Sequence, residues 1–488
     1  MENIINQFVI HRSGSQVIKP DGWKEQQIGK FKIWIAPELP FYKSEVGSVR
    51  YMMLGLAFHI SDSLMDEKDI LNQFPEESDT FLRAVDFLCG NFIIIREIEE
   101  KISMINDAGA AMKIFYHIDS NGNYDSAASD PALLKKIIRL KPDESPEAKT
   151  FYNSSFFRKN RIRLGDKTIY SDVFQLLPNH LLDLTGSKVS RFFPNQANEN
   201  ITLNESVNKL NHYLTNVIDA ASRKYNLKCA LTAGWDSRMV LAATKEHKAN
   251  TIYYTFYREG KKNQKLDLKL ARLMADNLDL NHITYKVTSN IDSQYLSNIQ
   301  NNYNQIPRNK AEVIGSVFSK FDNRKDLVLL GLISEIAKNY YESVIVKDGK
   351  TLTKAAHFKA CPYVVDYQQQ KYEELKPLCE KYNYDIRDIA HWEQDITNFA
   401  GQSMQYHSYM IRSFSPFNSR EIIKTILATP RKLRDKHRHK YYKYYLNKYW
   451  PELLSFPLNP SFKKKVIVLG KKTGIYDVYK IVTNNFMK

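Results

Sequence analysis

Between Lys228 and Val287 the apolar pattern changes period with almost every segment. "KCALTA" and "TIYYTFY" are short strand-like runs, and "RMVLAATKEH" between them is helical in spacing. "LDLKLARLMADNL" then leads to a third strand-like run, "HITYKV". Strands that alternate with helices are joined by crossovers, which leave them parallel in one sheet. The stretch therefore predicts a doubly wound α/β sheet, and the rest of the chain must fit around it.

Just upstream, Thr202 and Glu205 form a T-x-x-E capping box, followed by Val207, Leu210, Leu214, Val217, Ile218 and Ala221 on one helical face. Before that lies "NQANEN" (195–200), polar and without pattern, which marks the boundary between a 1–195 domain and a 196–488 domain. The first domain reads as β-rich. "FKIWIAP", "YMMLGLAFHIS", "GNFIIIREI" and "KISMINDA" are aromatic or β-branched runs broken by polar and glycine-containing stretches, as in a sandwich or mixed α+β layer. "ASDPALLKKII" reads as a helix with Pro131 in its first turn, and further strands are expected around 168–194. Beyond about 297 the reading is mostly helical, with one strand-like "DLVLLGL". No internal repeat or low-complexity tract is present.

At 488 residues the chain can bury large cores. Its 70 Lys and Arg against 54 Asp and Glu leave a net charge of +16. That excess suits an anionic partner, whether nucleotide, nucleic acid, acidic glycan or membrane surface, and equally suits basic solvated faces. The four cysteines show no C-x-x-C spacing, so buried thiols in a reducing compartment are expected. Residues 1–17 lack a signal-sequence pattern, and no apolar run approaches the ~18 residues that span a bilayer. A cytoplasmic protein without membrane insertion is the expectation.

The chemistry concentrates in "CALTAGWDSRMVLAA" (229–243). Small residues break the apolar run at the carboxyl end of a strand, where open α/β sheets bind ligands. The helix that follows aims its positive N-terminus at the same spot, which favours phosphate. Ser237 adds a hydroxyl, and Asp236 would hold a Mg²⁺ bridging the phosphates. A plain strand-to-helix turn fits the same spacing. The Walker pattern G-x-x-x-x-G-K-[ST] is absent.

"LTAGWDSR" resembles the S-G-G-x-D-S pyrophosphate loop of ATP pyrophosphatases, in the form of the asparagine synthetase family. Thr232 stands at the first Ser, Ala233 and Gly234 at the two glycines, and Asp236 and Ser237 at the Asp-Ser pair. The resemblance extends over most of the chain. "LCGNFIIIREIEEKISMINDAGAAMKIFYH" (88–117) is similar to the glutaminase-like N-terminal domain, and "LLPNHLLDLTGSKVSRFFP" (176–194) to the segment closing it. "RSFSPFNSREIIKTILATP" (412–430) resembles the P-F-L-D segment, with Asn418 and Ser419 where Leu-Asp is usual. "KYYKYYLNKYWPELLSFPLNPS" (440–461) resembles the C-terminal lysine-containing helix.

The resemblance implies an Ntn-hydrolase-like β-sandwich domain followed by a doubly wound ATP pyrophosphatase domain. It implies ATP at the 232–237 loop, adenine against the main chain near Leu231 and Thr255, and Lys440 beside the α-phosphate. Two departures stand out. The nucleophilic Cys that follows the initiator Met in asparagine synthetases is Glu2 here, so the first domain looks like the inactive glutaminase fold of β-lactam synthetase and lasso-peptide cyclases. In the second Mg²⁺ motif, G-D-G-x-D-E, Leu332 replaces the first Asp, Glu335 the second, and Ile336 the Glu. Asp236 and Glu335 remain as metal carboxylates, although Glu335 also fits a helix-start acid.

The implied activity is an ATP-dependent, AMP-forming amide ligase. It would adenylate the carboxylate of a sugar acid, a peptide or a small metabolite, and pass the acyl group to ammonia or an amine supplied separately. Two other readings stay open: an RNA-directed enzyme with the same loop, disfavoured by the glutaminase-like first domain, and a degenerate synthetase acting as a scaffold. The tyrosine-rich "YYKYYLNKYW" (441–450) is read as core packing ahead of base stacking, and Lys440 also fits a solvated basic run.

Overall fold

The computed structural model describes residues 6–14, 17–289, 291, 306–341 and 344–458. Glu2, the start of the helical reading at 297–305, and residues 459–461 of the C-terminal segment lie outside them.

Among the described residues up to Arg191, twelve strands form two antiparallel sheets. They are β1 (Phe8–Arg12), β2 (Lys24–Ile28), β3 (Phe31–Ile35), β4 (Phe41–Val46), β5 (Val49–His59), β6 (Leu88–Ile98), β7 (Lys101–Asn106), β8 (Phe115–Ile118), β9 (Tyr124–Ala128), β10 (Val173–Gln175), β11 (His180–Asp183) and β12 (Lys188–Arg191). One sheet has the order β10-β8-β9-β1-β3-β2, the other β12-β11-β7-β6-β5-β4. The long strands β5 and β6 explain the architecture. Their register pairs Met52 with Ile95 and Leu54 with Ile93, and both pairs face the core between the sheets. Met53 opposite Ile94 points the other way, onto Ile70, Leu71, Phe81 and Val85 of two short helices. Both faces are covered, so these strands read as continuous apolar runs rather than alternating ones.

The Thr202 capping box forms with both reciprocal bonds and opens the helix Leu203–Lys224, whose Val207, Leu210, Leu214, Val217 and Ile218 are buried. Next come β13 (Asn226–Ala230), β14 (Ile252–Tyr257), β15 (His282–Lys286), β16 (Asp326–Leu329) and β17 (Ser413–Phe414). They make one sheet of order β15-β14-β13-β16-β17, parallel at every pairing. Of these five strands, β17 escapes the sequence reading, because two residues carry no period, and in the first part β1, β2, β4, β8 and β9 escape it as well. Helix dominates after β15, and His391–Gly401 runs as a π-helix.

The hydrophobic interior does not stop at the polar 195–200 stretch. One buried cluster joins Phe58, Cys89 and Ala108 of the antiparallel layers to Leu214, Leu329, Trp392 and Phe414. Polar groups join the same surfaces. Asn418, fully buried, donates to the Gly90 carbonyl and to Asp107 (2.9 Å), and its oxygen accepts from the Gly109 N–H (2.7 Å). The Trp392 indole donates to the Ala108 carbonyl at 2.7 Å. Arg191 on β12 ion-pairs with Glu374 (2.6 Å) and Glu393 (2.5 Å). The missing acid of the 412–430 segment thus has a physical reading: Asn418 satisfies an interior contact as both donor and acceptor, and Ser419 donates to the Asp86 carbonyl at 2.9 Å.

All four thiols are free, with Cys89, Cys229 and Cys379 buried. Among the described residues, no helix is long and apolar enough to cross a membrane.

Candidate functional site

β13 and β16 lie side by side and run parallel, with Cys229 opposite Leu329. From β13 the sheet grows through β14 and β15 on one side, and from β16 through β17 on the other. Their carboxyl ends therefore flank the point where strand order reverses, the position at which open α/β sheets form a ligand crevice. Two turns meet there: 231–237 after β13 and 330–338 after β16.

Gly331 sets how closely they meet. A Cβ at this position would lie 2.8 Å from the Asp236 carbonyl carbon and oxygen and 3.1 Å from the Ser237 nitrogen. Ile333 follows at φ +70°, a conformation β-branched residues avoid, which costs on the order of 1–3 kcal/mol. Full burial holds it there, with its Cδ1 in the space a Gly109 side chain would fill.

The first turn is stitched by its own hydroxyls. Ser237 Oγ lies 2.9 Å from the Thr232 carbonyl and 2.8 Å from Thr232 Oγ1, which in turn accepts from the Gly234 N–H at 3.2 Å. Ala233 is fully buried, and Gly234 is exposed with φ −76° at the N-cap of the helix Trp235–Ala243. Gly234 is thus not needed for an unusual dihedral. It leaves that helix start with no side-chain cap, so its first-turn N–H groups keep their capacity for an anion.

Asp236 is the centre of the polar contacts. Lys338 Nζ reaches both its carboxylate oxygens, at 2.7 and 2.6 Å. Ser334 Oγ and Tyr442 OH each donate to Oδ1 at 2.8 Å. Burial acts to raise the Asp236 pKa, but the Lys338 ammonium and the two hydroxyls outweigh it and hold the acid below its ordinary value. Glu335 behaves oppositely: burial first, then the charge of Asp236, push it up to about 7. The two expected metal carboxylates are therefore neighbours, but the cation on Asp236 is an ammonium. A divalent ion on Asp236 would need its oxygens free, so these side chains as arranged do not fit one. Among the described residues, no group of three or more His, Cys, Asp or Glu is arranged to hold a metal.

The remaining expected site residues fall differently. Leu231 and Thr255 are together, yet their polar groups serve each other and the sheet: Thr255 Oγ1 donates to the Leu231 carbonyl at 2.6 Å, and the Leu231 N–H to the Tyr254 carbonyl at 2.8 Å. Lys440 is exposed at the start of the helix Lys440–Tyr449, and the residue of this helix that reaches Asp236 is Tyr442. Two positions apart means about 200° around the helix, so Lys440 is turned away from this acid. Tyr441, Tyr442 and Tyr445 are fully buried, as the core-packing reading expects.

Sequence reasoning misses Lys338, Ser334 and Tyr442, and meets Gly331 only as the first glycine of the second Mg²⁺ motif. Lys338 left a faint trace as the single cation ending the apolar run "LLGLISEIAK". Its partner lies 102 positions away, and no local pattern reveals that.

No family model matches the chain, and no curated protein matches it. Several solved structures overlap it loosely, two of them described as follows. Glutamine phosphoribosylpyrophosphate amidotransferase from B. subtilis, complexed with ADP and GMP, has a TM-score of 0.24 and 9% identity, covering 72% of this chain and 73% of its own. A structure described as the allosteric regulatory enzyme of purine biosynthesis has a TM-score of 0.23 and 9% identity, covering 75% and 72%. Overlaps this loose carry no argument about fold or activity.

Proposed function

We propose that the chain is an ATP-dependent ligase that adenylates a carboxylate and transfers the acyl group to ammonia or an amine, as the resemblance to asparagine synthetases implies. The observation that supports this reading is the convergence at the strand-order reversal: an uncapped helix start in a stitched turn faces a second turn that supplies a cation. In this reading the triphosphate lies over the N–H groups of Trp235–Ser237, and the substrate carboxylate attacks the α-phosphorus. The α–β bond breaks, giving an acyl-adenylate and pyrophosphate. Nucleophilic attack on the acyl carbon then releases AMP. Lys338 neutralises charge that develops on the leaving pyrophosphate. Mg²⁺ would enter as the counter-ion that travels with ATP. The glutaminase-like layers act as structure, and the amine donor is a separate substrate.

The acid to be activated is a sugar acid, a peptide carboxylate or a small metabolite. ATP–pyrophosphate exchange across a panel of such acids tests the reading. Exchange with at least one acid, lost in Asp236→Asn, supports it, and no exchange with any acid counts against it.

One observation favours a scaffold instead: Asp236 is already engaged by three protein side chains. A thermal shift with millimolar ATP separates the two, since a scaffold without a nucleotide site shows none.

A further inference from the structure

We infer, on the reading that this turn takes a nucleotide, that Lys338 is the resident cation of the site and that Asp236 binds no divalent ion in the native protein.

A carboxylate offers about four lone-pair positions. On Asp236, Oδ1 accepts from Lys338, Ser334 and Tyr442, and Oδ2 accepts from Lys338, so the ammonium stands on both oxygens. Mg²⁺ would sit about 2.1 Å from a carboxylate oxygen and demand near-octahedral oxygen ligands. On either oxygen it would meet the ammonium within contact distance, charge against like charge.

Lys338 cannot easily be pushed aside, because its backbone is anchored. Its N–H donates to the Glu335 carbonyl, and the next N–H, of Asn339, donates to the Arg434 carbonyl, both at 2.8 Å. Arg434 is fully buried, gripped by Asp388 at 2.6 Å, and also reaches the Ile336 carbonyl. The ammonium itself lies 5.1 Å from the centre of the Tyr442 ring, which adds a cation–π contact. Alternative ligands are scarce. Ile336 is a buried aliphatic side chain, Leu332 is aliphatic as well, and Glu335 is the one further acid on this turn.

The ammonium has three N–H donors, and Asp236 takes two of them. One remains for an anion. Asp236, 36% exposed, opens the pair to solvent, with Lys338 beneath it at 14%. The pair therefore offers a fixed hydrogen-bond donor to a polyphosphate where a metal-loaded carboxylate would offer an ion.

Two measurements on the full chain test this. Electron paramagnetic resonance titration with Mn²⁺, without nucleotide, is expected to show no Asp236-dependent site in the native protein. Lys338→Met is expected to gain one Mn²⁺ site, which is lost again in the Lys338→Met, Asp236→Asn double variant. A native Mn²⁺ site abolished by Asp236→Asn would overturn the inference, whatever ATP does. Calorimetric ATP binding in EDTA is expected to be retained in Lys338→Arg and weakened at least tenfold in Lys338→Met. Lys338→Met binding like the native protein in EDTA would also overturn it. Absence of ATP binding in every variant and condition would remove the nucleotide reading itself, a result the Mn²⁺ titration distinguishes from a failure of the cation assignment. Circular dichroism of each variant identifies any that fail to fold, and Lys338→Arg then carries the comparison.

Discussion

Lys338 bridges both carboxylate oxygens of Asp236 across 102 positions of sequence, at 2.7 and 2.6 Å. This one relationship ties the turn after β13 to the turn after β16 and replaces the expected carboxylate pair by an acid and its own cation.

Close approach of the two turns depends on Gly331. A methyl group there would collide with Asp236 backbone atoms at 2.8 Å, and backbone yields less readily than a side-chain tip. Gly331→Ala is expected to cost about 1–3 kcal/mol in urea unfolding, the range for overpacking. It is also expected to abolish ATP binding. A variant as stable as the parent would show that the turns have room to part.

Ser237 is expected to act through the shape of its turn. Its hydroxyl is committed to Thr232, so Ser237→Ala should lower stability by about 1 kcal/mol while Ser237→Thr keeps the stitch. Equal unfolding midpoints for the alanine variant and the parent would contradict that role.

Arg191 holds two carboxylates, and Glu393 is almost wholly buried at 2% exposure. Removing only the cation strands that charge. Arg191→Met is expected to cost about 3–5 kcal/mol, and adding Glu393→Gln should recover part of the loss. A loss under 1 kcal/mol, read by denaturant unfolding, would contradict the assignment.

Glu335 gives a pH signature. Its native pKa of about 7 lies above the ordinary 4.5 because burial and the Asp236 charge disfavour ionisation. Between those values the unfolded chain has lost a proton that the native state keeps, so stability falls as pH rises through this window. Asp395, also raised to about 7, and other groups titrate too, so the informative quantity is the difference between the parent and Glu335→Gln. From pH 5 to pH 8 the parent should lose about 1–3 kcal/mol relative to the variant, each pKa unit being worth about 1.4 kcal/mol. Parallel stability curves would contradict the raised pKa.

Local periodicity made much of the fold legible. The capping box at Thr202, the change of period after Tyr225 and the apolar runs of β5 and β6 each follow from contacts within a few residues or one strand pairing. What stayed hidden depends on distant pairs. Asn418 looks like a lost acid until Gly90, Asp107 and Gly109 surround it. Lys440 is the expected cation because it matches the C-terminal lysine that the resemblance implies, whereas Lys338 takes its place from a turn packed by Arg434 and Ile333. The hydroxyls of Thr232 and Ser237 were expected to face a ligand, and the structure spends them on the turn.

The most direct measurement is a crystal structure grown with ATP and a slowly reacting carboxylate. The account predicts triphosphate density over the Trp235–Ser237 N–H groups, with Lys338 Nζ still on Asp236 and in contact with a phosphate oxygen. Triphosphate bound elsewhere, or a metal ion seated on Asp236 with Lys338 swung away, would contradict it.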